Sequence, residues 1–254
     1  MNPQLAELLK EPRPVRLNRV ALPRGLRLVV LAPHPDDFDA IGVTMELFHD
    51  SGARMSVAVL SSGASGVEDA DAVPPTPARK AEIRMEEQRR SCRLFGLAED
   101  DVEFLRLEET ETDGEPADSE ANARAIARLL DRCRPDLVFL PHGHDEKPGH
   151  RNVFSLFRQA AEASGAQIVA FLNRDPKTVA MRTDAYTAFG EGEALWKAEL
   201  LRCHDSQQQR NLRTRGRGFD ERILDVNRRI ARDLGAIASY AESFEIACFG
   251  GACP

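Results

Sequence analysis

The chain has no run of about 18 consecutive apolar residues, the length a bilayer crossing needs, so no membrane span is expected. Met1–Arg16 is polar and proline-containing, without the hydrophobic stretch of a secretory signal. Cysteine is scarce. There are five, an odd number without regular spacing, which points to reduced thiols in a cytoplasmic protein rather than to a disulfide framework. A basic excess is missing too: the formal charge is −7, the opposite of a nucleic-acid footprint. No Gly-x-Ser-x-Gly elbow occurs and no cysteine sits in a nucleophile motif, which disfavours covalent catalysis. The small-residue segment Ser61-Ser62-Gly63-Ala64-Ser65-Gly66 lacks both a Walker lysine and Gly-x-Gly-x-x-Gly spacing, which disfavours a nucleotide-phosphate site. Its residues are small enough for close backbone approach to a ligand.

What is present is alternation. Apolar, β-rich runs at 26–31, 55–60, 102–105, 137–140 and 168–172 are separated by amphipathic stretches at 40–50, 79–95, 121–134 and 152–164. Gly52 and Gly96 fall where helix C-caps belong, and Pro135 marks another helix end. Strands alternating with helices predict an α/β fold, a Rossmann-like parallel-sheet sandwich with helices on both faces. Residues 178–189 read as a further strand or hairpin, followed by helices over 191–208 and 219–234. No internal repeat is found, and 254 residues at 42% hydrophobic content can bury one core. The expected organisation is an N-terminal extension at 1–25, one domain at 26–247 and a tail at 248–254. Cys248 and Cys253 flank Phe-Gly-Gly-Ala in that tail and are placed to pair or to bind a metal, although a frayed tail is the preferred reading.

Two of the apolar runs end in candidate ligands. After 26–32 comes His34-Pro35-Asp36-Asp37, one imidazole and two carboxylates at a strand tip, where α/β folds place their chemistry. Neutral histidine with carboxylate suits zinc or a similar divalent ion, and a catalytic site takes three protein ligands with one position open. Adjacent carboxylates in an extended turn point in opposed directions, so one can hold metal while the other faces water. Taken alone, the pair also reads as a helix N-cap. After 137–140 comes Pro141-His142-Gly143-His144-Asp145-Glu146-Lys147-Pro148-Gly149-His150, holding three of the six histidines. Histidines clustered after a buried strand are poor core material and good ligand or acid/base candidates. Two such loops favour an assembled metal site over surface polarity.

At these residues the chain resembles the LmbE/PIG-L family of zinc-dependent N-deacetylases. Ala32-Pro33-His34-Pro35-Asp36-Asp37 matches its opening signature. The resemblance extends through Arg84-Met85-Glu86-Glu87 with Leu94-Phe95-Gly96, through Lys197 and His204-Asp205-Ser206-Gln207, to Tyr240-Ala241-Glu242-Ser243-Phe244. It implies His34, Asp37 and His150 as metal ligands and Asp36 as the general base acting on the water that the metal carries. Two departures stand out. The family commonly has an oxyanion-stabilising histidine three residues before the third ligand, where this chain has Lys147. In the same loop the residue before that ligand, often Asp, is Gly149. The second departure follows Asp37, where the family often has Glu and a Gly-Gly pair and this chain reads Phe38-Asp39-Ala40-Ile41-Gly42-Val43-Thr44. Lys147 or His144 is left to serve the oxyanion.

The function this implies is a metal-dependent hydrolase, a zinc enzyme by resemblance, that removes an N-acetyl group from an amino sugar or its conjugate. The expected partner is a small molecule, an N-acetylated sugar derivative, with no nucleic acid and no membrane; a homo-oligomer stays open. A metal-dependent hydratase or lyase acting on a small unsaturated carboxylic acid is the alternative, with Arg210, Arg213, Arg215 and Arg217 available to hold an anion. A structural, four-ligand metal site is a third reading. Among the remaining candidates, the loop at 67–78 reads as a lid or a plain surface loop, and His204 as a hydrogen-bonded structural histidine.

Overall fold

In the computed structural model, which describes residues 2–236 and 238–251, eight strands form one mixed sheet in the order β1-β7-β8-β6-β5-β2-β3-β4. The central strands are β2 (Arg27–Ala32), β5 (Leu137–Pro141) and β6 (Ile168–Asn173), with β3 (Arg54–Val59) and β4 (Val102–Phe104) on one side. These five pair in parallel. Beyond β6 lies β8 (Tyr240–Phe249), antiparallel both to β6 and to β7 (Ala185–Phe189). The sheet is therefore mixed rather than wholly parallel. β1 (Val15–Arg16) closes the β7 edge.

Alternate residues of β2 feed two cores. Leu28, Val30 and Ala32 face one side with Phe48, Phe139, Phe171 and Phe244. Val29 and Leu31 face the other with Ile126, Leu130, Val153 and Phe157. This two-residue period, with both faces buried, produces the continuous apolar runs seen in the sequence. One face is covered by α2 (Gly42–Asp50), the other by α4 (Glu120–Cys133) and α5 (Pro148–Ser164). Helix α3 (Pro77–Phe95) starts at Thr76, whose hydroxyl accepts from Arg79 N–H, and stops at Gly96, where φ is +102°. Cross-sheet packing continues with α6 (Glu191–Arg202), α7 (Asp205–Arg215) and α8 (Phe219–Asp233).

Three segments differ from the sequence expectation. The helix expected at 191–208 breaks at Cys203–His204, because the His204 ring turns inward to Asp39 at 2.6 Å. Only residues 185–189 of the 178–189 stretch are strand. Cys248 and Phe249 end β8 rather than opening a frayed tail, while Cys253 lies outside the described residues. The segment at 1–25 packs into the core through Leu5, Leu8 and Val15, with Pro3–Leu8 forming α1. Among the described residues, no helix is long and apolar enough to cross a membrane.

The order reverses at β2: the chain leaves it for β3 and β4 and returns to β5 on its other side. Ligands in open α/β sheets bind beyond the strand ends at such a reversal. The loops that follow β2 and β5 are the two that carry the candidate ligands.

Candidate metal centre

The loop after β2 is a tightly determined turn. Asp36 has φ of +120°, a costly conformation for a residue with a Cβ. Two residues of α3 hold it there: Gln88 Oε1 accepts the Asp36 N–H at 2.9 Å, and Arg84 donates to the Pro35 carbonyl and, at 2.6 Å, to the Asp36 carboxylate. Glu87 supports Arg84 at 3.1 Å and accepts from the Ser206 N–H and hydroxyl at 2.6 and 2.8 Å. Gly63 is needed for the same contact, since a Cβ there would lie 2.8 Å from Pro35. Asp37 folds back so that one oxygen accepts the His34 backbone N–H at 2.8 Å and lies 3.1 Å from His34 Nδ1.

The loop after β5 delivers the second part. His150 sits in the first turn of α5, 1% exposed, with Nε2 3.7 Å from the other Asp37 oxygen. Its ring centroid is 5.4 Å from that of His34. One ligand atom from each of His34, Asp37 and His150 lies within 4.8 Å of the others. Neither ring nitrogen of His150 has a hydrogen-bond partner, although both are buried. Nδ1 faces Asp145, whereas Nε2 faces the cluster with Asp37; buried polar atoms are nearly always paired, so Nε2 calls for a ligand.

Carboxylates surround the pair. Glu115 Oε2 is 2.6 Å from His34 Nε2, and Asp145 Oδ2 is 3.5 Å from His150 Nδ1. Asp145 is itself fixed by the Lys147 N–H at 2.7 Å and the Thr178 hydroxyl at 3.2 Å. Burial opposes ionisation of Asp37, but His150, His34 and Lys147 outweigh it and hold the carboxyl well below its usual range. Burial likewise opposes Glu115, which His34, Lys147 and His150 bring down to about 2. Burial lowers His150, yet Asp37, Asp175 and Asp145 push it up to about 9. A potential that draws a proton this strongly draws a divalent cation as well. One carboxylate and two imidazoles, with His150 Nε2 buried and lacking a hydrogen bond, fit a divalent ion held by three protein ligands.

Of the two candidates for the oxyanion role, the structure brings only Lys147 to this cluster. Its Nζ is 3.4 Å from His34 Nδ1 and 3.7 Å from Glu115 Oε1. His144 is exposed, with its ring 5.0 Å from that of His142, and it lines neither cavity beside the ligands. The larger cavity, about 300 Å³, has Asp36, Asp37, Lys147, His150 and Asp175 in its lining. The smaller, about 250 Å³, lies over His34 and Glu115 and is bordered by Gly63, Ser65 and Gly66, the small-residue segment. Sequence reasoning missed Glu115 and Asp175. Asp175 follows the end of β6, so the strand-end rule reaches it; Glu115 comes from an irregular segment with no such signal.

The segment at 67–78, read as a lid or a plain surface loop, is tied down, with Asp71 paired to Arg213 and Asp69 to Lys80 at 2.6 Å. The arginine segment proves to be mostly α7, and Arg213 and Arg217 are ion-paired to Asp71 and Asp225 while Arg210 and Arg215 line the larger cavity. Lys197, fully buried, donates to Glu242 at 2.7 Å, to Asn227 at 2.8 Å and to the Ala40 carbonyl at 2.6 Å. Glu242 in turn accepts the Val43 and Thr44 N–H groups at the start of α2. The motif residues outside the ligand loops thus build the frame around the Asp36 turn.

Residues 29–161, about half of the chain and including both ligand loops, match the PIG-L family, described as GlcNAc-PI de-N-acetylase. The chain belongs to this family. PIG-L proteins are N-deacetylases, hydrolases of an amide bond. No curated protein matches the chain in sequence. Its fold is that of an N,N'-diacetylchitobiose deacetylase from Pyrococcus horikoshii, at 20% identity and a TM-score of 0.72, covering 97% of this chain and 91% of that one. A conserved protein from Thermus thermophilus is similar at 24% identity and a TM-score of 0.64, covering 86% and 93%. A 4-carboxy-2-hydroxymuconate hydratase from Pseudomonas putida reaches 21% identity and a TM-score of 0.64, covering 89% and 96%. The fold therefore accommodates both hydrolysis and hydration.

Proposed function

We propose that this PIG-L protein is a divalent-metal-dependent N-deacetylase, with zinc the favoured ion, that removes the acetyl group from an amino sugar or its conjugate. The observation that carries the reading is the convergence of His34, Asp37 and His150, with His150 Nε2 buried on the Asp37 side and without a hydrogen bond. A divalent ion held by these three residues supplies Lewis acidity toward the acyl carbonyl and a lowered pKa for water. Asp36, on the cavity wall beside Asp37, serves as general base, taking the proton of the attacking water and delivering it to the departing amine. Arg84 fixes that carboxylate in place. Lys147 directs its ammonium at the oxygen on which charge develops, with Glu115 keeping the side chain over His34. His150 and Asp37 stay fixed through the reaction, anchored by α5 and by the backbone of His34.

The test is metal analysis of the purified protein joined to an acetate-release screen over N-acetylated sugars, with and without chelator. Acetate release that chelation abolishes and zinc restores is the expected result. Bound metal with no acetate released from any acetylated sugar would overturn the reading. A hydratase acting on a small unsaturated carboxylic acid is the second reading, favoured by the unpaired cations of the larger cavity. Water addition to such an acid, without acetate release, would establish it.

A further inference from the structure

The proposed chemistry uses Asp36, Asp37, Lys147 and His150 from the lining of the larger cavity and leaves other charged residues there without a task. Three of these are cations without a carboxylate partner among the described residues. Lys177 follows β6, Arg215 ends α7 and Arg222 lies in α8, and all three line the cavity. None of the three forms an ion pair among the described residues, whereas Arg210, Arg213 and Arg217 are paired to Glu68, Asp71 and Asp225. Arg222 is half-buried, and among the described residues its guanidinium hydrogen-bonds only to Asn211 Oδ1, at 3.5 Å. Burial lowers its pKa, although Asp175 and Asp36 partly offset this.

A half-buried guanidinium without a carboxylate partner is costly unless something else brings the negative charge. In a chain of formal charge −7, the cavity lining carries five cationic side chains against three carboxylates, one of them the candidate ligand Asp37. Phe219 and Ile223 also line the cavity and offer apolar surface to a ring. At about 300 Å³ the space is at the small end of ligand clefts, which run from roughly 300 to 1,000 Å³, so a single ring with one substituent fills it.

We infer that the substrate carries an anionic group, a phosphate or a carboxylate, held by Lys177, Arg215 and Arg222 while its reacting end faces Asp36 and Lys147. The guanidinium fork suits either anion, because both present two oxygens in a plane. Only the identity of the reacting end rests on the deacetylase reading. The anion subsite stands on the cavity lining alone.

The experiment has two arms on the metal-loaded protein. In the first, binding of inorganic phosphate and of succinate is measured by calorimetry for wild type, Arg222→Gln and Lys177→Gln. The anion that matches the subsite binds wild type and binds each variant roughly 10- to 100-fold more weakly, as expected for hydrogen bonds to a charged group. Equal binding by wild type and both variants would place the anion on the metal and overturn the inference. In the second arm, KM is compared for N-acetylglucosamine, N-acetylglucosamine 1-phosphate and 6-phosphate, and N-acetylmuramic acid. A lower KM for the phosphates or for the carboxylate, lost in Arg222→Gln, supports the subsite and separates the two anions. Equal KM for neutral and anionic sugars would overturn the subsite and leave the deacetylase standing. Variant-sensitive anion binding with no acetate from any sugar would do the reverse.

Discussion

Glu115 Oε2 lies 2.6 Å from His34 Nε2 and occupies the space that a side chain at position 149 would fill. A Cβ on Gly149 would sit 1.9 Å from that oxygen. Gly149 is one of the places where the chain departs from its family pattern, and the vacated space goes to a carboxylate from a distant segment. The arrangement has a chemical consequence. Donation of the Nε2 proton to Glu115 leaves Nδ1, the nitrogen 3.1 Å from Asp37, for a metal. Asp145 stands in the same relation to His150, facing Nδ1 while Nε2 faces Asp37.

If Glu115 sets the His34 tautomer, Glu115→Ala lowers metal affinity by about 10- to 100-fold, the usual effect of losing a carboxylate behind a ligand histidine. Gly149→Ala should do nearly the same by pushing Glu115 aside, and the double variant should be little worse than either single one, since all three remove one contact. Competition against a chelator measures this. Wild-type affinity in both single variants would show that the Glu115–His34 contact does not matter for metal.

The two adjacent aspartates are expected to separate cleanly. Asp36 contacts Arg84 and Gln88, whereas Asp37 contacts His34 and lies toward His150. Asp36→Asn keeps metal content near that of wild type and lowers kcat about a hundredfold or more, as loss of a general base does. Asp37→Ala strips the metal. Elemental analysis alongside turnover decides the matter, and equal metal loss in both variants would refute distinct roles.

Lys197 carries a prediction about stability. It is fully buried against Glu242, which caps α2 through Val43 and Thr44. Lys197→Met leaves that carboxylate buried and unpaired, at a cost of about 3–5 kcal/mol. For a domain of this size the melting temperature should then fall by roughly 10 °C. Lys197→Met combined with Glu242→Gln should recover part of the loss. A melting temperature within a degree or two of wild type in Lys197→Met would mean that the pair contributes little.

Much of this was legible beforehand for a physical reason. The strands that form the site are buried on both faces, so they appear as unbroken apolar runs, and the ligands follow their ends directly. β8 is harder to read, because Glu242, Ser243 and Glu245 interrupt its pattern. Glu242 is there to pair with Lys197, and Glu245 faces His142 at 3.3 Å. The break between α6 and α7 is equally hidden: a helical run continues through residue 208, and only the tertiary contact of His204 with Asp39 ends it. Glu115 has no local signature at all. The indirect trace it leaves is the glycine at 149.

Lys147 is where the structure separates candidates that the sequence left level. Its ammonium is held over His34 at 3.4 Å with Glu115 alongside at 3.7 Å, and its side chain is only 34% exposed. His144 points into solvent beside His142. A donor that meets the oxyanion is worth about 10²–10³ in kcat, and because the contact strengthens with the developing charge, KM changes much less. Lys147→Ala should therefore lose kcat by that factor, with metal content intact and KM within a fewfold. Lys147→Arg should restore part of the rate by keeping the charge. His144→Ala should be silent. The decisive measurement is kcat and KM for all three variants on one confirmed substrate. A large loss in His144→Ala with none in Lys147→Ala would require the exposed loop to close during turnover. Full activity in both, with metal retained, would deprive acyl hydrolysis of its electrophile and favour the hydratase reading.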